Sequence, residues 1–209
     1  MKTIVNTIPG YKVYEYLLAL SPHEDLRNRI MKVKEDFANE YKTDHARWGM
    51  PYITLVNFVQ YAMMEERIVN RLRTVAMGYP AFKAELHDFG SFPSHTIYIN
   101  ITSKLPIQGL IKKIRLETQR LMKLNDDNKP HFILEPHLTI ARKLEPWQYE
   151  KGWLEYAHKH FTGKFIADSM ILLKRPVGES DSYRMKYHTI QRLEFQNMPV
   201  TTKQGALFM

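Results

Sequence analysis

The chain has 209 residues, of which 44% are hydrophobic and 25% charged, with a formal net charge of +8 and no cysteine. These proportions fit a folded chain with a sizeable core, and they exclude disulfide staples and thiolate metal centres. No apolar run approaches the ~20 residues of a membrane span, and residues 1–10 lack a charged-then-apolar signal pattern, so a cytoplasmic protein without a membrane partner is expected. The positive charge points to an anionic partner.

Tyr11–Leu20 reads as a strand rich in aromatic and aliphatic residues. Ser21-Pro22-His23-Glu24 then predicts a helix start, with Ser21 as cap, Pro22 in the first turn and Glu24 completing a capping box. Leu26, Ile30, Val33, Phe37 and Tyr41 recur at steps of three and four and form its buried stripe; Arg27, Arg29, Lys32, Lys34, Glu35 and Asp36 are expected in water. After a polar loop, Pro51–Tyr61 reads as a strand, Met64–Ala76 as a helix ended by Gly78 and Pro80, and Phe82–Phe89 as an alternating strand. The turn-rich stretch Gly90–Ser94 marks a boundary between two halves.

His95–Thr102 opens the second half as a strand whose Ile97, Ile99 and Ile101 share a buried face, leaving Thr96, Tyr98 and Asn100 on the other. A helix from Pro106 turns Ile107, Leu110, Ile111, Ile114 and Leu121 inward and Lys112, Lys113, Arg115, Arg120 and Lys123 outward. The polar loop Asn125–Asn128 leads to a strand over Pro136–Arg142, a helix over Pro146–Phe161 closed by Gly163, strands over Lys164–Lys174 and Met185–Phe195, and a loose tail.

Both halves therefore run strand, helix, strand, helix, strand. Pro22 and Pro106 lie 84 residues apart and Tyr52 and His137 lie 85 apart, which indicates a duplication. The duplicated stretches are Pro51-Tyr-Ile-Thr-Leu55 and Pro136-His-Leu-Thr-Ile-Ala-Arg142. Alternation puts His137 and Thr139 on one face of their strand, as it puts Tyr52 and Thr54 on theirs; Arg142 falls on the opposite face of a regular strand. An imidazole beside a hydroxyl can move a proton near neutral pH and hydrogen-bond a phosphate oxygen. Either that chemistry or a structural strand histidine would use the pair.

Two Pro-x-aliphatic-Thr-aliphatic strands, one with His-x-Thr, resemble the 2H phosphoesterase superfamily, which includes 2'-5' RNA ligase-like proteins and RNA 2',3'-cyclic phosphodiesterases. The resemblance spans about Tyr11 to Phe195. It departs at the first motif, where Tyr52 stands in place of histidine. It implies a single α+β domain over residues 1–209, with lobes at about 11–93 and 94–196. Two antiparallel-rich sheets would flank a central groove with helices outside. It further implies acid/base cleavage or formation of 2',3'-cyclic or 2'-5' phosphodiesters without metal or cofactor. His137 would transfer the proton, Thr139 and Thr54 would hold the phosphate, and Tyr52 would act as a phosphate contact or weak acid. The partners would be RNA ends or nucleotides.

An offset of 84 carries Tyr98 and Asn100 back onto Tyr14 and Tyr16, which gives a groove lining of Tyr14, Tyr16, Tyr98 and Asn100 around the motif residues, suited to stacking nucleobases. His95 falls on the isoleucine side, and His131, His158, His160 and His188 have no metal-ligand spacing. The alternative to an enzyme is a non-catalytic binder of RNA ends or nucleotides on the same fold. A third reading, a partner-binding protein with a dead groove, would show bulky side chains closing the space beside His137.

Overall fold

The computed structural model describes residues 10–177 and 186–198, except the side chain of His45. The alternating segments form β1 (Val13–Leu20), β2 (Ile53–Tyr61), β3 (Phe82–Phe92), β4 (Thr96–Ile101), β5 (His131–Phe132), β6 (His137–Arg142), β7 (Thr162–Ala167), β8 (Ser169–Pro176) and β9 (His188–Glu194). The segments of helical period form α1 (Glu24–Glu40), α2 (Glu65–Met77), α3 (Lys104–Met122) and α4 (Pro146–Tyr156). All strand pairs are antiparallel, in the order β7-β3-β4-β6-β2-β1-β8-β9, with β5 also beside β2. The expected pair of sheets is thus one curled sheet in two halves, joined where Ile53 of β2 meets Leu138 of β6.

The curl follows from chain connectivity. β7 lies at one edge of the sheet and β8 near the other, yet Asp168 alone separates them in sequence. One residue spans only ~3.5 Å, so the sheet must bend until its ends approach. Phe195, just past β9, seals that closure: its N–H donates to the Asp168 carbonyl at 2.7 Å, and its ring stacks on Phe82 at 6.1 Å. The predicted single strand Lys164–Lys174 is therefore two strands, with Gly163 inside β7 rather than closing a helix.

The sequence repeat and the spatial halves differ by one strand. β3 follows β2 in the chain but pairs with β4 and β7, whereas β8 pairs with β1. The helices cross over in the same way. α1 packs on β6 and β7 beside α4 on β4, and α3 packs on β2 beside α2. They cover the face that carries Ile97, Ile99, Ile101, Ile53 and Leu138, each no more than 1% exposed. Burying each such side chain contributes roughly 1.5–3 kcal/mol.

Local signals were partly displaced. The Ser21 hydroxyl donates to the Pro22 carbonyl at 3.3 Å instead of capping α1, which starts at Glu24 after His23. Pro106 is the third residue of α3, so the two prolines are not equivalent. Lys34, expected in water, is buried in the α1 stripe. Of the expected tail, Gln196, Asn197 and Met198 donate backbone hydrogen bonds to Ala76, Tyr79 and Met77, and residues 199–209 lie outside the described residues, as does the expected link over 178–183. Among the described residues no helix is long and apolar enough to cross a membrane.

Candidate active site

The joint between the halves builds the site. Ile53 and Leu138 are fully buried in the core, so Tyr52 and Thr54 on one strand, and His137 and Thr139 on the other, turn to the opposite face, where all four are partly exposed. Continuing the register one residue each way sets Thr54 across from His137 and Tyr52 across from Thr139. Facing residues on antiparallel strands have Cα atoms ~4.5–5.5 Å apart. The two motifs thus meet in one patch.

His137 is oriented by the segment before it. β5 and β6 both run along β2, but the chain leaves the ladder over residues 134–136, after Ile133 donates to the Leu55 carbonyl. That excursion brings the Glu135 carbonyl to 2.8 Å from His137 Nδ1. A carbonyl only accepts, so Nδ1 carries the proton and Nε2 is left bare in the neutral ring. Burial pushes the imidazolium below its ordinary value, and the Glu135 bond opposes this in part. Phe92 meets the imidazole edge-on at 4.9 Å and Tyr98 lies tilted against it at 5.1 Å.

At the first motif, the Tyr52 N–H donates to the Met50 carbonyl at 3.0 Å; Met50 is the repeat counterpart of Glu135. The Tyr52 ring packs against Ala19, Ile171 and Leu173 together with Leu17 and Tyr187. Burial raises its phenol above the ordinary tyrosine value, and Arg27 on α1 opposes the shift. At neutral pH this group is a hydrogen-bond donor and not a base.

Tyr98 and Asn100 reach the groove as expected, opposite Thr139 and His137 respectively. Gly90 makes this possible: a Cβ there would stand 2.6 Å from both Asn100 Oδ1 and Tyr98 Cε2. Gly90 and Phe92 lie in a stretch that reads as turn in the sequence but belongs to β3, and nothing in the residue pattern alone marks them.

Tyr14 and Tyr16 do not line the groove. Tyr16 is fully buried, stacks on Phe58 at 5.0 Å and donates to Glu65 of α2 at 3.0 Å. Tyr14 pairs with Gln60, whose amide donates to Leu121 at the end of α3. Both therefore face the helices. The residue that stands to Thr54 as Tyr98 stands to Thr139 is Ala19, an offset of 79 and not 84. The wall in that half is Leu17, Ala19, Ile171 and Leu173, closed by Tyr187, whose hydroxyl donates to Glu15 at 2.8 Å.

Arg142 also changes face. Ile97 pairs with Ala141 and Tyr98 with Thr139, so β6 holds one extra residue at this point. This bulge leaves Ile140 and Ala141 both buried and returns Arg142, paired with Thr96, to the face of Thr139. The remaining histidines lie elsewhere: His95 precedes β4 with Nδ1 3.0 Å from the Pro93 carbonyl, and His160 stands 3.3 Å from Asp88. His131 and His188 are exposed. Among the described residues no group of three His, Asp or Glu side chains could hold a metal ion.

The family model of the 2'-5' RNA ligase superfamily matches residues 22–179, most of the chain. The chain belongs to that superfamily. Its fold is shared with E. coli LigT in complex with 3'-AMP, at a TM-score of 0.56 and 15% identity, over 88% of this chain and 98% of that one. LigT with NADP+ gives a TM-score of 0.56 at 15% identity over 89% and 99%. A protein described as a phosphoesterase gives 0.52 at 13% identity over 87% and 97%. No curated protein matches the sequence significantly.

Proposed function

We propose that this superfamily member acts on RNA ends or nucleotides, at a 2',3'-cyclic phosphate or a 2'-5' phosphodiester linkage, by proton transfer between side chains. The observation that carries the reading is the fixed tautomer of His137, with a bare Nε2 on the groove face beside Thr139 and Thr54. In hydrolysis of a cyclic phosphate, water attacks phosphorus, His137 Nε2 takes the water proton, and the P–O bond to the leaving sugar oxygen breaks. That oxygen needs a proton, and in this reading the Tyr52 phenol donates it. Thr139 and Thr54 donate to the non-bridging oxygens. The nucleotides bound by LigT and the net charge of +8 support a nucleotide ligand.

General acid/base catalysis contributes ~10²–10⁴-fold. With one imidazole in place of two, turnover is lower than in a two-histidine site by an amount of that order. A binding-only protein is the second reading, while the packing of Phe92 and Tyr98 against His137 is the feature expected of the third, a partner-binding protein with a dead groove. Assay of 2',3'-cyclic nucleotides and 2'-5' dinucleotides separates the two. Hydrolysis that disappears in His137→Ala, with the fold intact, supports the enzyme. A parent protein inert on all of them that still binds a 3'-nucleotide establishes the binder.

A further inference from the structure

The middle of β2 carries a polar side chain that the chemistry above does not use. Asn57 lies between Val56 and Phe58, both buried, and Phe58 stacks on Tyr16 on the helix side of the sheet. Alternation turns Asn57 to the groove face. Its register partners are Leu17 of the apolar groove wall on one side and His131 of β5 on the other. Leu17 in turn pairs with Leu173. One row of the groove face therefore reads Leu173, Leu17, Asn57, His131. The row beside it runs from Ile171 through Ala19 to Thr54 and ends at His137.

Asparagine is a poor strand former, and a carboxamide set against leucine is unfavourable unless something hydrogen-bonds it. Asn57 is half-buried, and among the described residues its carboxamide makes no hydrogen bond; the exposed imidazole of His131 makes none either. Asn100, across from His137 in the other half, differs, because its Nδ2 donates to the Asp88 carbonyl at 3.5 Å. Asn57 thus keeps both a donor and an acceptor for a ligand, the complement of a nucleobase edge. Leu17 and Leu173 supply apolar surface for the ring. Three residues separate Thr54 from Asn57, at most ~10 Å of strand, and the bulge at Leu55 shortens this. A nucleotide with its phosphate on Thr54 and His137 can lay its base over this row.

We infer that Asn57 and His131 recognise the base of the nucleotide in the groove by hydrogen bonds to its polar edge, while the ring lies on Leu17 and Leu173. This rests on the groove binding a nucleotide phosphate, as proposed above. It favours a base that presents a donor and an acceptor side by side, as adenine does with its amino group and a neighbouring ring nitrogen.

Calorimetric titration of the full chain tests it, with adenosine 3'-monophosphate, purine riboside 3'-monophosphate, which lacks the amino group, and inorganic phosphate, which lacks the base. The parent binds the adenosine nucleotide about tenfold more tightly than the purine riboside nucleotide, the scale of one well-made hydrogen bond. Asn57→Leu loses that difference and keeps its affinity for phosphate, and His131→Ala narrows the difference. The comparison in the parent does not depend on either variant folding. A parent that binds phosphate but shows no preference between the two nucleotides overturns the inference and leaves the groove reading standing. A folded Asn57→Leu or His131→Ala protein that retains the full difference overturns it too. A parent that binds none of the three overturns the groove reading as well.

Discussion

Ile53 and Leu138 are register partners across the joint of the sheet, and they lie 85 residues apart, the interval that also separates Tyr52 from His137 and Thr54 from Thr139. A local twofold therefore passes between Ile53 and Leu138, and it relates the four motif side chains as two pairs. The symmetry of the backbone is kept while the chemistry is not: one pair offers an imidazole and the other a phenol.

That asymmetry makes Tyr52→His informative. The Met50 carbonyl accepts from the backbone N–H of Tyr52, whereas the Glu135 carbonyl meets the Nδ1 of His137, so the substitution restores a second imidazole without the same fixed orientation. Turnover of a 2',3'-cyclic nucleotide is expected to rise, by up to ~10²-fold or more. Slower turnover in Tyr52→His than in the parent would identify tyrosine as an adapted catalytic group.

The pH profile follows from His137. Burial lowers its pKa from the ordinary 6.5, so Nε2 is free to accept a proton at neutral pH. kcat/KM is expected to be level around pH 7 and to fall on acidification through a pKa below the ordinary 6.5. The same shift bears on stability. The unfolded chain takes up this proton before the folded one, so the stabilisation is present above 6.5 and is lost as pH falls through the folded pKa. A rate that instead rises on acidification would mean that the imidazolium is the working form.

Gly90→Ala should disturb the groove more than the core. The added Cβ would meet Asn100 Oδ1 and Tyr98 Cε2 at 2.6 Å, and overpacking of this kind costs about 1–3 kcal/mol. Tyr98 and Asn100 are the atoms that must move, so nucleotide affinity is expected to weaken along with the melting temperature. Unchanged affinity in a destabilised protein would remove Tyr98 and Asn100 from the ligand site.

Tyr16→Phe tests the opposite assignment. The ring stack on Phe58 survives and the hydrogen bond to Glu65 is lost, while Glu65 keeps Lys174 as a partner at 2.6 Å. Stability is expected to fall by about 0.5–1.5 kcal/mol, measured by urea unfolding, with turnover and nucleotide affinity unchanged. A selective loss of affinity would return Tyr16 to the ligand site.

The motif strands and the isoleucine face were legible in the sequence because strict alternation survives wherever one face is packed. The errors arise where the ladder is irregular. Equating Pro22 with Pro106 carries Tyr14 and Tyr16 into the groove, but one proline precedes its helix and the other lies inside it. Strict alternation puts Arg142 on the wrong face because a one-residue bulge leaves no mark on the pattern it interrupts. Lys34 sits next to Val33 at the edge of the apolar stripe, and periodicity alone prefers the valine. The break at Asp168 carries no glycine or proline, so β7 and β8 read as one strand.

The exchange of β3 and β8 between the halves has a consequence for how such a fold can be divided. A cut at the hairpin tip, residues 93–95, follows the repeat but breaks both halves of the sheet: one fragment loses β8 from beside β1, and the other loses β3, which joins β4 to β7. Each half is also roofed in part by a helix from the other repeat. This is the wiring of two swapped protomers made permanent by a peptide link. A lone repeat lacks a strand of its own sheet half and a helix of its own roof, and the groove is built from both repeats.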